Sequence, residues 1–127
     1  GSPGNTNDYS AADKDNYTAL MQEFRKQLDA QGSADGKTYT ISAAMGITSG
    51  IISNGYNLPE LNKVLDYFNL MTYDMHGSWE STTNFRNSLF PISGDPSASS
   101  GLTIQEAVNR FVNGGVTKSK IVVGVPF

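Results

Sequence analysis

The sequence alternates between segments whose apolar residues follow helical spacing and short runs of β-branched or apolar residues. The first segment, residues 10–32, predicts a long helix with a single apolar stripe. Ser10 and Asp13 resemble a capping box at its start, and Gly32 is suited to end it. The stripe is formed by Tyr17, Leu20, Met21, Phe24 and Leu28.

Two later segments have the same periodicity. Residues 57–65 predict a short helix with Asn57 as its N-cap. Residues 103–115 predict the clearest helix, which Thr103 caps and a glycine pair ends. Its apolar stripe consists of Ile104, Ala107, Val108, Phe111 and Val112.

Three runs predict strands, at residues 37–45, 66–74 and 120–127. The order is therefore helix, strand, helix, strand, helix, strand, which indicates an α/β fold with parallel strands joined by right-handed crossovers. A long loop, rich in Ser, Asn, Gly and Pro, runs from Gly77 to about Gly101. It follows the C-terminal end of the second strand, where α/β barrels and open α/β sheets place their ligands.

Three parallel strands do not complete a domain. An eight-stranded α/β barrel takes about 250 residues, whereas this chain has 127. We therefore predict that residues 1–127 form part of a single domain, about half of a (β/α)8 TIM barrel. The two outer strands of such a piece would have unpaired backbone edges.

Composition narrows the classes of function. The net charge is −3, and no basic patch alternates with aromatic residues, so a nucleic-acid partner is not predicted. No run approaches the roughly 20 apolar residues that span a bilayer, so no membrane partner is predicted. The absence of cysteine excludes disulfides and thiolate metal sites, and a single histidine leaves little material for zinc. Neither a metal nor a cofactor is predicted.

Residues 71–80, MTYDMHGSWE, hold a tyrosine, two carboxylates, the only histidine and the only tryptophan of the chain. Together with YTISAAM before it and VNGGVTKSKIVVGVPF after it, this stretch resembles the fifth to seventh strands of family-18 glycoside hydrolases, the retaining chitinases. LMTYD and HGSW are the most specific parts, and GVPF is supportive. The resemblance runs from about residue 11 to Phe127.

The family's acid signature, D-G-x-D-x-D-W-E on the preceding strand, does not occur in this sequence. The opening GSPGN resembles the loop just after that strand, and the chain stops at GVPF, where the family typically continues with Tyr-Gly-Arg. The resemblance therefore implies a fragment of a catalytic domain whose general-acid glutamate lies outside the chain. Such a fragment is expected to be inactive by itself.

Family-18 enzymes use substrate-assisted catalysis. By resemblance, the N-acetyl oxygen of the substrate attacks the anomeric carbon, and Tyr73 orients that group; simple strand packing is the alternative. Asp74 would hydrogen-bond the missing carboxylates or the sugar, with capping of a turn as its alternative. Met71 should share the inward face of Tyr73 and resembles the family's site-floor methionine, although a core methionine would have the same pattern.

The remaining candidates lie outside the second strand. Trp79 is the best candidate for carbohydrate contact, because sugar C–H faces pack on flat aromatic rings. Glu80 is interpreted as a contact at the rim of the site or a solvated glutamate rather than the acid, and His76 as a loop histidine that hydrogen-bonds nearby backbone. Small side chains at the end of the first strand would leave room for the acetamido methyl or simply fit neighbouring bulk; this group is Ala43, Ala44 and Met45.

The resemblance implies a secreted chitinase that cleaves β-1,4-linked N-acetylglucosamine polymers with retention, and hence chitin or its oligosaccharides as partners. The first alternative is a non-catalytic, chitinase-like lectin, which an altered final glutamate on the missing strand would indicate. A second alternative is self-association of the chain through its exposed strand edges.

Overall fold

The computed structural model describes residues 6–127, in which helices cover one face of a three-stranded parallel sheet. The chain also contains two short 3-10 turns, Ala98–Ser100 and Lys118–Lys120. The predicted alternation of helices and parallel strands is confirmed, with one additional helix. The elements are α1 (Asp13–Asp35), β1 (Ser42–Met45), α2 (Ser49–Gly55), α3 (Leu58–Val64), β2 (Tyr67–Leu70), α4 (Ile104–Asn113) and β3 (Ile121–Val123).

Strand β2 lies at the centre of the sheet, between β1 and β3. The register aligns Ala44 with Asn69 and Asn69 with Val122. Pairing continues past the C-terminal ends, since the Met71 N–H donates to the Met45 carbonyl and the Gly124 N–H to the Leu70 carbonyl, both at 3.0 Å. The ends of all three strands are therefore held side by side.

All three strands are shorter than predicted, since β1 covers Ser42–Met45 rather than 37–45 and β3 covers Ile121–Val123 rather than 120–127. The same holds for the second strand. Residues 66–74 were expected to be extended, but the strand covers only Tyr67–Leu70. The reason lies at Thr72, whose N–H donates back to the Leu70 carbonyl at 2.9 Å. Its hydroxyl donates to the Gly124 carbonyl at 2.7 Å, which ties this bend to the chain beyond β3.

Side chains of β2 alternate between two faces, as period-2 geometry requires. Phe68, Leu70 and Thr72 are fully buried beneath the helices. On the opposite, open face, Met71 and Tyr73 remain partly exposed. The core between sheet and helices includes Met45, Leu61, Leu65, Phe68, Leu70, Ala107 and Phe111.

Helix α2 was not predicted, because seven residues with glycines at both ends carry no usable periodicity. Thr48 caps it by accepting a hydrogen bond from the Ile51 N–H at 3.3 Å. The next residue after the helix, Tyr56, accepts a hydrogen bond from the Gly46 N–H at 2.9 Å. Its ring packs near that of Phe111, and burial raises the pKa of Tyr56.

The predicted caps have different outcomes. Thr103 caps α4 as expected, accepting from the Glu106 N–H at 3.2 Å. The Ser10 N–H donates to the Asp13 carboxylate at 2.8 Å, and this bond lowers the pKa of Asp13. Helix α1 nevertheless has Ala12 at its N-cap and continues past Gly32 to Asp35, so the predicted ends at Ser10 and Gly32 are wrong. Asn57 stands at the N-cap position of α3, but its side chain makes no capping bond, so that prediction is wrong in its mechanism.

The C-terminal carbonyls of α3 are satisfied by two cations from other elements. Arg25 of α1 donates from Nε to the Val64 carbonyl at 3.2 Å. Lys120, just before β3, donates from Nζ to the Asn62 and Leu65 carbonyls, each at 2.7 Å. Positive charge at a helix C-terminus is favourable, and the unpaired carbonyls there need donors.

Arg25 also links α1 to the starts of β1 and β2. Its Nη2 lies 2.7 Å from Oδ2 of Asp66, and Nη1 donates to the Tyr39 carbonyl at 3.0 Å. The same Asp66 oxygen accepts the Ile41 N–H at 2.7 Å. The Arg25 side chain thus links α1 to the C-terminal end of α3 and to the segments that lead into β1 and β2.

We expect Arg25→Ala to lower the free energy of unfolding by about 2–3 kcal/mol, because Asp66 and two carbonyls lose a charged donor whose side chain is only 18% exposed. Chemical denaturation of the purified chain measures this change. Lys26→Ala is the matched control, since Lys26 is 78% exposed and its ammonium group forms a surface ion pair with Glu23 at 3.6 Å. Its effect should stay within about 0.5 kcal/mol, and equal effects of the two variants would contradict the role of Arg25.

Candidate active site

The candidate residues meet on the open side of the sheet, at the C-terminal ends of the strands. Met71, Tyr73 and Asp74 follow β2 directly, and the loop after β1 approaches them from one side. A cavity of about 310 Å³ lies between these segments. It is lined by Gly46, Ile47, Thr48, Ile51, Met71, Tyr73, Asp74, Met75 and Leu102.

Tyr73 is held in place by the chain after β3. A Cβ added to Gly124 would lie 2.7 Å from Cε1 of Tyr73 and 2.6 Å from the Leu70 carbonyl oxygen, so the tyrosine ring rests directly on this glycine. The residue is 36% exposed. Within residues 6–127 its hydroxyl forms no hydrogen bond, which leaves the O–H available to donate to a ligand.

Asp74 adopts a left-handed backbone conformation, with φ of 52°, which turns the chain away from the strand direction. Arg86 donates to its Oδ1 from both Nε and Nη2, at 2.9 and 2.7 Å. The Arg86 carbonyl in turn accepts the Met75 N–H at 2.9 Å, so the arginine is anchored beside the strand end. Sequence reasoning missed Arg86, because it lies 12 residues away in a loop with no recognisable motif.

The end of β1 requires a correction. Ala43 and Met45 align with Phe68 and Leu70, on the face that the helices cover, and Met45 is fully buried in the core. Neither is placed to contact a ligand at the open face. Ala44, which the register aligns with Asn69, lies on the open face instead and is exposed. The error is one of strand phase, because a one-residue shift exchanges the two faces.

His76 and Glu80 contact each other. Nδ1 of His76 lies 3.0 and 3.1 Å from the two carboxylate oxygens of Glu80. The expectation that His76 would bond nearby backbone is therefore wrong, since its ring lies between side chains, with Nε2 3.4 Å from Oγ of Ser97. Glu80 faces this histidine while also lining a second cavity in the loop of residues 77–84.

Trp79 lies on the surface of the long loop and is 65% exposed. The six-membered part of its indole covers Gly77, where an added Cβ would come within 2.5 Å of two ring carbons. The six-membered ring of the indole is thus supported by the Gly77 backbone, while the residue as a whole remains accessible. This arrangement suits a flat contact with a ligand.

Two classes of site are not found in the part of the chain that the structure describes. No group of three or more His, Cys, Asp or Glu side chains in residues 6–127 is arranged to hold a metal ion. Over the same residues, no helix has the length and apolar character needed to cross a membrane.

The family is shown by comparison with known proteins. Residues 2–127 match the model of glycosyl hydrolases family 18. The chain therefore belongs to this family, and its three parallel strands with their helices match part of the TIM barrel of the family's chitinases.

Three relatives illustrate the similarity. Chitinase A1 of Niallia circulans is 33% identical over 122 residues, covering 91% of this chain and 17% of the relative. The structure of chitinase ChiA74 from Bacillus thuringiensis superposes with a TM-score of 0.90 at 37% identity, covering 96% of this chain and 19% of the other. Catalytic domain 2 of the group II chitinase from Ostrinia furnacalis, in complex with penta-N-acetylchitooctaose, gives 0.83 at 32% identity, covering 93% and 29%. This chain thus spans less than a third of each relative.

We expect Gly124→Ala to displace the Tyr73 ring and to lower the free energy of unfolding by about 1–3 kcal/mol, because the new methyl group would overlap both that ring and the Leu70 carbonyl. Thermal and denaturant unfolding measure the cost. Gly50→Ala is the control, since an added Cβ at this helical position has no neighbour within 4 Å. That variant should be neutral or slightly stabilising, and a Gly124 variant that behaves the same way would contradict the close contact.

Proposed function

We propose that this chain is part of the catalytic barrel of a chitinase, which hydrolyses β-1,4-linked N-acetylglucosamine polymers with retention. The observation that carries the proposal is the Tyr73 hydroxyl, which has no partner within residues 6–127 and stands beside Asp74 at a strand-end cavity. Relatives named as chitinases support the substrate class, and one of them was solved with a chitooligosaccharide. On this basis the chain covers the fifth to seventh strands of the barrel.

In the proposed mechanism the acetamido carbonyl oxygen of the substrate attacks the anomeric carbon as the glycosidic bond breaks. The leaving oxygen takes a proton from a glutamic acid on the preceding strand, outside this chain. Water then attacks the anomeric carbon of the oxazolinium intermediate, the bond from that carbon to the acetamido oxygen breaks, and the water gives a proton to that glutamate. Tyr73 donates its O–H to the acetamido oxygen and holds it in line for attack.

Asp74 assists this step by hydrogen-bonding the sugar or the carboxylates of the preceding strand. Arg86 holds its Oδ1 with two N–H groups, so Oδ2 is the oxygen left for that contact. Met71 would form the floor of the site. Ala44, rather than Ala43 or Met45, would be the small residue that leaves room for the acetamido methyl. Trp79 would contact a sugar ring farther along the polymer.

The isolated chain should not hydrolyse chitotriose. General acid catalysis contributes about 10²–10⁴-fold, and the acid signature is absent from the sequence. The measurement is release of N-acetylglucosamine or chitobiose by the purified chain, with a complete family-18 chitinase as the positive control. Turnover that co-elutes with the chain through two orthogonal columns would contradict this prediction.

In the longer polypeptide that carries this chain, Tyr73→Phe should lower kcat on chitooligosaccharides by about 10²-fold with a smaller change in KM, because one preorganised donor is lost. Tyr9→Phe is the matched control, since Tyr9 is an exposed tyrosine before α1. A Tyr73→Phe enzyme with the kcat of the parent would remove Tyr73 from the mechanism.

A carbohydrate-binding protein without catalysis is the second candidate, because the exposed Trp79 and a Tyr73 hydroxyl that is unpaired within residues 6–127 would suit binding equally well. The final glutamate of the acid signature distinguishes the two, since a lectin would have it replaced.

We also propose secretion, because a polymeric substrate cannot cross a membrane to reach an internal enzyme. Self-association through the free edges of β1 and β3 stays a prediction.

A further inference from the structure

We propose that His76 and Glu80 act as a clamp that closes the turn carrying Trp79 and holds its indole ready for a sugar ring. Both are then positioning residues rather than groups that touch the substrate. The identity of the ligand on Trp79 rests on the proposed function, whereas the clamp itself rests on the contacts described next.

Two interactions close the turn, one between backbone groups and one between side chains. The Glu80 N–H donates to the Gly77 carbonyl at 3.1 Å, which closes the backbone over residues 77–80. The side chains of His76 and Glu80 then pair at 3.0 and 3.1 Å across its base. An ionised carboxylate only accepts hydrogen bonds, so with Glu80 ionised the donor in this pair is the Nδ1–H of His76.

Burial makes this pair stronger than an ordinary surface contact. The His76 side chain is 3% exposed and that of Glu80 is 29% exposed. A hydrogen bond to an ionised carboxylate gains strength where water is largely excluded. Glu80 is therefore committed to the histidine, which argues against its use as a proton donor to substrate.

The clamp fixes where Trp79 can lie. Gly77 and Trp79 are both inside the closed turn, and the indole lies on the glycine so closely that a methyl group there would overlap it. If the turn opened, the ring would lose this support and move among several rotamers. Holding it in one orientation before the ligand arrives reduces the ordering cost of binding.

The far side of the histidine faces the rest of the long loop. Nε2 of His76 faces Oγ of Ser97, which donates to Oδ1 of Asp95 at 2.9 Å. Asn84 donates to both Asp95 and Ser97, each at 2.7 Å. The pKa of Asp95 is lowered mainly by the hydrogen bond from the Ser97 backbone N–H, and further by those from the side chains of Asn84 and Ser97. His76 thus lies between the Trp79 turn and a second, internally bonded segment.

Trp79 is the only tryptophan of the chain, so its fluorescence reports the turn directly. In Glu80→Ala the time-resolved anisotropy of Trp79 should decay faster in the free chain, because the indole gains local motion. The dissociation constant for chitopentaose, titrated by the same emission, should rise about 3–10-fold, the equivalent of ordering one side chain. In the longer enzyme the same change should raise KM and leave kcat within about twofold.

Glu60→Ala is the matched control, because Glu60 is also a paired carboxylate, 2.6 Å from Lys63 on α3, and lies outside the loop. It should change neither anisotropy nor affinity. Glu80→Gln, whose amide oxygen still accepts from Nδ1, should fall between the parent and Glu80→Ala, and it replaces the alanine variant if circular dichroism shows that variant unfolded.

Unchanged anisotropy in Glu80→Ala would overturn the clamp, whether or not affinity falls; a loss of affinity alone would instead assign Glu80 to direct sugar contact. Trp79→Ala separates this result from the proposed function. If that variant binds chitopentaose as tightly as the parent, Trp79 is not the sugar contact, and the anisotropy of Glu80→Ala still decides whether the clamp exists. If the isolated parent chain does not bind the sugar, the anisotropy again decides.

Discussion

The central position of β2 is the constraint on which the rest of the structure depends. A parallel strand paired on both sides can present only two sets of side chains, and those of β2 divide accordingly. Phe68 and Leu70 enter the core under the helices, and this burial fixes the phase of the strand. Met71 and Tyr73 must then point to the open face. Hydrogen bonds from the Met71 N–H to β1 and from the Gly124 N–H to β2 keep the same alternation of faces up to the ends of the strands.

The site inherits its geometry from this frame but takes its partners from loops. Tyr73 rests on Gly124, which comes from the next strand, so sheet pairing and ring placement are coupled. Asp74 leaves the strand in a left-handed conformation and meets Arg86. His76 meets Glu80 and Ser97. The Asp74 and His76 side chains of the MTYDMHGSWE stretch are thus paired with residues that only the folded loop brings to them.

The secondary structure was largely predictable because most elements carry strong periodic signals. The stripe of α4 and the Thr103 cap are local, and the structure confirms both. Helix α2 lacks such a signal, since it is short and glycine-rich, and it was missed. On α1 the predicted stripe is correct in spacing, but Leu20 and Phe24 of that stripe remain exposed within residues 6–127. Spacing defines a face, whereas burial depends on what packs against it.

The sequence by itself determined the α/β alternation and the family, because periodicity and local motifs depend only on near neighbours along the chain. It did not determine which residue of β1 faces the site. Ala44 rather than Met45 takes that position, and the choice depends on register with β2. The sequence also did not reveal that Arg86 binds Asp74. It predicted Glu80 at the rim of the site or in solvent, whereas Glu80 is bound to His76. Those contacts are decided by tertiary structure, since folding of the long loop brings donors and acceptors together regardless of their separation in sequence.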